Sequence, residues 1–227
     1  GATVQIAGGY VNGEDALTFA DQGGITGTWI PATGTLSLSG VASLATYQAA
    51  LRTVGYVNLS DQPTTAHRDI AFTVSDGTLS SPGVQRQVQV VSVDDPPVAS
   101  LPGPQTVAED TPLVLSTANG SALVFGDIDA GNGAVQLSLS VSHGRLTLAT
   151  TAGLSFVTGT GLNDAALVAT GTLAAINAAV DGLTYVPDPD FNGPDGLAAA
   201  LDGLGNTGIG GGWMVSGTIA IDVTPVD

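Results

Sequence analysis

Apolar and polar residues alternate with period two along most of this chain, the pattern of half-buried strands. It predicts strands at residues 2–6, 16–19, 26–30 and 35–38, separated by glycine-rich turns at Asn12-Gly13, Gly23-Gly24 and Gly34. The pattern then breaks. Leu44, Tyr47, Leu51 and Val54 fall three or four apart, one face of a short helix over residues 43–53 that Ser43 can cap. Strands resume at 54–57, 68–74 and 84–93, with a hairpin turn at Ser75-Asp76-Gly77. Beyond Pro96-Pro97 the same reading gives strands at 105–107, 113–115, 135–141, 145–148, 165–170, 182–186, 195–201 and 217–223, and a helix over 172–180.

The two halves repeat. Residues 36–40 and 44–56 match residues 167–171 and 173–185, with Tyr47 on Ile176, Ala50 on Ala179, Leu51 on Val180 and Tyr56 on Tyr185. A spacing of one sandwich domain points to a modular protein. Val93-Asp94-Asp95-Pro96-Pro97 reads as the boundary, because paired prolines stop a strand and stiffen a junction. The fold class expected is all-β: two tandem Greek-key β-sandwiches, residues 1–95 and 96–227, each with one short helix. Residues 134–137 match residues 2–5, and nothing ahead of residue 1 matches 97–133. The first domain is therefore expected to lack its N-terminal strands, through an imposed boundary, cleavage, or a strand donated by another chain.

Composition narrows the function. Twenty acidic residues against four basic ones give a formal charge of −16, which excludes a nucleic-acid groove. There is no cysteine, so disulfides, thiolate metal sites and cysteine nucleophiles are excluded. No transmembrane stretch or polybasic patch is present, so membrane insertion is not expected.

Much of the acid lies in pairs: Asp94-Asp95 in the boundary, Glu109-Asp110, and Asp127-Ile128-Asp129 ahead of Asn132. Alternating aspartates on an extended chain point to one side and can chelate one ion. Calcium, a hard cation taking six to eight oxygens, suits them. Asp94, Asp95, Glu109, Asp110, Asp127, Asp129 and Asn132 form the candidate metal set, and the same residues also suit solvated Asx turns. Asp188, Asp190 and Asp195 form a second dense group beside Asn192, and Glu14-Asp15 is a third candidate pair. No EF-hand loop is present.

Catalytic chemistry is thin. His67 and His143 fall in different domains, and no Gly-x-Ser-x-Gly elbow occurs. The chain is not expected to be an enzyme, and no catalytic residue is assigned. Trp29 and Trp213 are candidates for core packing or for stacking on sugar.

Glu14-Asp15-Ala16-Leu17-Thr18-Phe19, Phe72-Thr73-Val74-Ser75-Asp76-Gly77, Thr106-Val107-Ala108-Glu109-Asp110-Thr111 and the Val93–Pro97 junction together resemble bacterial cadherin-like repeats of large secreted adhesins. The resemblance implies immunoglobulin-like sandwiches with junction calcium on Asp95, Glu109, Asp110, Asp127 and Asp129. It implies a calcium-dependent adhesion or scaffold module, extracellular or on a bacterial surface, as in biofilm. The partners implied are neighbouring modules of a longer chain, a homophilic or strand-donating protein, or a surface glycan. A carbohydrate-binding module and a passive spacer are the alternatives. The chain departs from the family at Asp94, where asparagine is usual, and at residues 196–200, where Gly-Leu-Ala-Ala-Ala replaces the usual aromatics.

Overall fold

The structure is a computed structural model that describes residues 1–226. Among the described residues the chain is all-β apart from two short helices and one 3-10 turn, and it divides into two compact units, residues 1–92 and 93 onward. Asp94 and Asp95, expected in a junction, thus fall within the second unit. No helix among the described residues is long and apolar enough to cross a membrane.

Unit 1 contains β1 (Ala2–Gly8), β2 (Asp15–Thr18), β3 (Thr26–Ile30), β4 (Thr35–Ser39), α1 (Leu44–Leu51), β5 (Gly55–Asn58), β6 (Arg68–Val74) and β7 (Val84–Val88). One sheet runs β3-β4-β1-β6-β7 and a second pairs β2 with β5. Val4, Ile6, Leu36, Leu38 and Ile70 of the first sheet pack with Leu17 of the second, and Tyr47 and Ala50 of α1 close the core. The helix begins where predicted: the Thr46 N–H donates to Ser43 Oγ at 3.2 Å, satisfying one of the free donors of a helix start.

Unit 2 contains β8 (Val98–Ser100), β9 (Gln105–Ala108), β10 (Leu113–Leu115), β11 (Val124–Gly126), β12 (Ala134–Ser140), β13 (Gly144–Thr147), β14 (Ser155–Thr158), β15 (Ala166–Thr172), α2 (Leu173–Val180), β16 (Leu183–Pro187), β17 (Gly193–Asp202) and β18 (Met214–Thr224). Its large sheet runs β14-β15-β12-β17-β18-β9, and the facing sheet runs β10-β16-β13. Leu137, Leu139, Leu167, Leu197 and Ile219 from the first meet Leu115, Leu146, Leu183 and Tyr185 from the second in a single core. The short strands β8, β11 and β14 were not predicted. They are three or four residues long, below the span over which alternation is legible.

Strand registers correct the match between the halves. Val4 lies between Leu36 and Phe72, and Leu139 lies between Leu167 and Ala199. Leu17 faces Tyr56 as Leu146 faces Tyr185. With Leu36 matching Leu167, Ala2 corresponds to Leu137, not to Ala134. The shift of three restores parity: Ala2, Val4 and Ile6 are buried, as are Leu137, Leu139 and Val141, and parity decides which face of a strand enters the core.

This register exposes a polar knot shared by the two units. In unit 2 the Tyr185 hydroxyl donates to Asp195 Oδ2 at 2.9 Å. Asp195 also accepts the N–H groups of Ser142, His143 and Gly196. In unit 1 the Tyr56 hydroxyl donates to Asp15 Oδ1 at 2.7 Å. Asp15 further accepts from Asn58 Nδ2, the Val11 N–H and Arg68 Nε, the last at 2.8 Å. Arg68 holds the position of Asp195, and Asp15 that of Gly144. Arg68 is fully buried, with its other nitrogens on the Ala66 carbonyl and Glu14. Glu14 and Asp15, candidate ion ligands in the sequence, are thus engaged with Arg68.

Burial alone raises the Asp15 pKa, but Arg68, Tyr56, Val11 and Asn58 outweigh it and the net shift is downward. For Asp195 burial is again opposed, by Gly196, Tyr185, His143 and Ser142, with the same net direction. A carboxylate with a lowered folded pKa contributes stability above its unfolded value, about 4, and loses it as pH falls through the folded value. Urea midpoints measured in chelator should therefore fall below about pH 4, and Asp195→Asn should flatten that fall for unit 2. Arg68→Met leaves Asp15 buried without its cation, and should cost unit 1 about 3–5 kcal/mol in urea unfolding followed by Trp29 fluorescence.

Candidate functional site

The seven candidate ligands do not meet at one place. The structure brings Asp94, Asp95, Asp127 and Asp129 together at the end of unit 2 where β18 begins. Glu109 and Asp110 lie where β18 ends, beyond β9. β18 is eleven residues long, so the two groups are separated by about 30 Å of strand. Asn132 is exposed in the turn preceding β12.

At the first pole, residues 93–94 run beside residue 209. Val93 forms a parallel bridge with Ile209, and the Asp94 N–H donates to the Ile209 carbonyl at 3.0 Å. Gly208, at φ 99°, permits this approach, since a Cβ there would stand 2.5 Å from the Val93 carbonyl carbon. The turn 127–130 is an Asx turn: Asp127 Oδ1 accepts the N–H groups of Asp129 and Ala130 at 2.9 and 3.0 Å. Asp129 is 1% exposed. Its Oδ2 accepts the Asp95 N–H, and Thr207 Oγ1 donates to its backbone carbonyl at 3.0 Å. Thus the Asp94 N–H and the Thr207 hydroxyl fasten the aspartates to the 203–210 loop, and the Asp95 N–H joins the two pairs to each other. Gly203 leaves room for the Asp127 carboxylate, which a Cβ would meet at 2.5 Å.

Asp94 is itself buried, 7% exposed. Burial first, and then the negative charges of Asp129, Asp127 and Asp95, raise its pKa. The cluster is electrostatically unfavourable as it stands, and a cation relieves that repulsion. The fit to an ion is partial. No group of three acidic, histidine or cysteine side chains among the described residues is closely enough gathered to hold a metal, and Asp127 and Asp129 already spend oxygens on backbone N–H groups.

At the other pole Glu109 Oε1 accepts the Val226 N–H at 2.8 Å and Oε2 accepts from Asn192 at 3.2 Å. Those bonds lower the Glu109 pKa. Asp110, in the left-handed region at φ 60°, accepts weakly from the Asp190 N–H at 3.4 Å. Glu109 and Asp110 therefore associate with the 188–192 loop, which sequence spacing assigned to a separate group. Asp195 lies inside, on Tyr185. Phe191 packs against the core and stacks on His143, ring centroids 4.2 Å apart.

The tryptophans differ. Trp29 packs on the core of unit 1, edge-on to Tyr10. Trp213 is 49% exposed, at the end of the glycine-rich loop beside exposed Met214.

Neither a protein-family model nor a curated protein matches the chain. Among solved structures, the chain is similar to human mucin-like protocadherin EC1-2, at 14% identity over 96% of this chain and 87% of that one, with TM-score 0.34. It is also similar to the Yersinia pseudotuberculosis adhesin InvE, at 10% identity over 94% of this chain and 50% of that one, with TM-score 0.25. A third similarity is to the endo-fucoidan hydrolase MfFcnA4 of glycoside hydrolase family 107, at 14% identity, with TM-score 0.25. This chain covers 94% of its own length in that match and 24% of the hydrolase. At identities this low and TM-scores below 0.5, the functional reading rests on the residues themselves.

Proposed function

We propose that the chain is a non-catalytic adhesion or scaffold module displayed outside the cell, in which calcium orders the pole of unit 2 that carries Asp94, Asp95, Asp127 and Asp129. The observation that carries this reading is Asp94, a residue 7% exposed whose pKa is raised by burial and by three neighbouring aspartates. An ion seated there takes oxygens from Asp94 and from the free carboxylate positions of Asp95, Asp127 and Asp129, supplemented by carbonyls and water. It would hold residues 93–97 against the 203–210 loop. The resemblance of the sequence to cadherin-like repeats supports the same reading. Glu109, Asp110 and Asp190 at the far pole are a weaker candidate set, because Glu109 is already engaged by Val226 and Asn192.

A second reading, recognition of a glycan, is favoured by Trp213 alone, half exposed on its glycine-rich loop. It predicts saturable glycan binding that Trp213→Ala abolishes and chelator leaves untouched.

Calcium added to chelated protein should release or absorb heat in a saturable titration and raise the melting temperature of unit 2. At a hundredfold excess over Kd the stabilisation is about 2.7 kcal/mol. Asp94→Asn should weaken calcium binding and, in chelator at pH 7, raise the urea midpoint by removing a repelling charge. No binding heat together with an unshifted melt would overturn the calcium reading. Calcium-dependent association in sedimentation favours adhesion; a monomer with and without calcium favours a rigid scaffold.

A further inference from the structure

Asparagine followed by glycine is chemically unstable when it is free to react. The glycine nitrogen attacks the asparagine Cγ, and the missing Cβ of glycine leaves that approach open. The chain has four such pairs: Asn12-Gly13, Asn119-Gly120, Asn132-Gly133 and Asn192-Gly193. All four asparagines are exposed, so access to solvent does not distinguish them. An intramolecular attack requires nucleophile and target to be free to come together, and hydrogen bonds decide that.

Three pairs are restrained. Asn119 Nδ2 donates to the Val114 carbonyl at 2.9 Å, and the Gly120 N–H to the Thr117 carbonyl at 3.1 Å. The Gly133 N–H donates to the Ala130 carbonyl at 2.6 Å. Asn192 Nδ2 donates to Glu109 Oε2 at 3.2 Å. The pair Asn12-Gly13 differs. It lies in the turn between β1 and β2, which the Glu14 N–H closes on the Val11 carbonyl at 3.2 Å. Gly13 has φ 95°, and a Cβ there would meet nothing within 4 Å. Among the described residues neither the Gly13 N–H nor Asn12 Nδ2 has a hydrogen-bond partner. Asn12 Oδ1 lies 3.3 Å from the Tyr10 hydroxyl, but the one proton of that hydroxyl goes to the nearer Pro31 carbonyl, at 2.5 Å. Asn12 is thus held by little.

We propose that Asn12 is a self-modifying site, which converts in the folded protein to aspartate or isoaspartate while the other three Asn-Gly pairs are protected. Solvent takes the Gly13 N–H proton, the nitrogen forms a bond to Asn12 Cγ, and the side-chain nitrogen leaves as ammonia. The succinimide then takes up one water. Attack at Cγ breaks the new bond and gives aspartate; attack at the main-chain carbonyl breaks the old peptide bond and gives isoaspartate. One water is consumed, one ammonia is released, and nothing is oxidised. The isoaspartate route adds a methylene to the main chain inside the turn. The Val11 carbonyl accepts the Glu14 and Asp15 N–H groups, and the Val11 N–H donates to Asp15 Oδ2 at 2.8 Å. A longer turn withdraws that donor from the carboxylate shared by Arg68 and Tyr56. Either product also adds a negative charge beside Glu14 and Asp15. Conversion therefore loosens unit 1, irreversibly and with age. The inference rests on neither the calcium nor the glycan reading and is tested in chelator.

The experiment incubates the full chain carrying Trp213→Phe at mildly alkaline pH, once folded and once in guanidinium chloride, and maps both samples with trypsin. Cleavage after Arg52, Arg68, Arg86 and Arg145 leaves Asn12 as the only asparagine in its peptide. A rise of one mass unit in residues 1–52 therefore reads Asn12 alone, and fragmentation assigns the others. Asn12 should convert at nearly the same rate folded and unfolded. Asn119, Asn132 and Asn192 should be slowed by ~fivefold or more in the fold, because each must first open a hydrogen bond. The converted chain should show a lower urea midpoint by Trp29 fluorescence. Asn12→Gln, whose longer side chain closes no five-membered ring, should keep its midpoint through the same incubation. The rate comparison needs no substitution at residue 12, so it stands if that variant fails to fold. Slowing of Asn12 as great as that of the other three overturns the proposal. Conversion with an unchanged midpoint, or an equal fall in Asn12→Gln, overturns its consequence for unit 1.

Discussion

Each unit depends on one inward-facing carboxylate, buried in unit 1 and half-buried in unit 2, that ties its two sheets together at one end of the core. In unit 2 Asp195 gathers the Tyr185 hydroxyl, the turn at Ser142 and His143, and its own strand. In unit 1 Asp15 gathers Tyr56, Asn58, the turn at Val11, and Arg68 on the facing sheet. A lone buried carboxylate is costly. Beside the tyrosine hydroxyl that both share, two solutions occur: three backbone N–H donors around Asp195, and one guanidinium, one side-chain amide and one backbone N–H around Asp15. Among the described residues, no buried side-chain nitrogen or oxygen lacks a hydrogen-bond partner. The tyrosine is common to both because it follows the helix at the same register and carries a hydroxyl to the rim of the core.

These knots also sort the acidic residues. Asp15 and Asp195 face inward, and their negative charge is matched locally. Asp94 and its neighbours crowd one pole, where burial and then the three adjacent aspartates raise the Asp94 pKa, while those of Asp15 and Asp195 fall. The same residue type therefore does opposite work according to whether its donors are arranged before the charge is buried. A net charge of −16 adds a general reason for a cation at the crowded pole.

Comparison of the units through their registers separates what a sandwich needs from what it tolerates. Both keep the central strand, the short helix and the tyrosine. They differ by the strands that cover the helix and the outer edges, which in unit 2 come from residues 98–126. Cores rich in Val, Leu, Ile and Ala, with only 5% aromatic residues, tolerate open edges poorly, because each uncovered strand removes apolar burial that few large side chains are present to replace.

Period-two alternation placed most strands of both units, and the three-to-four spacing of Leu44, Tyr47 and Leu51 placed α1, because these are local consequences of backbone geometry. The Ser43 cap was equally local. Arg68 is one of four basic residues and shares the inward parity of Ile70, so its burial with an acid is legible in the sequence. Beyond that, spacing misled. Asp94, Asp95, Asp127 and Asp129 do share a pole, but Glu109 and Asp110 are carried to the other end of β18 by β9, and Asp195 turns inward to Tyr185. Strand length and sheet order set those separations, and neither is written in the interval between two residues along the chain. Local pattern decides which elements form; only pairing in three dimensions decides which carboxylates meet and which are buried.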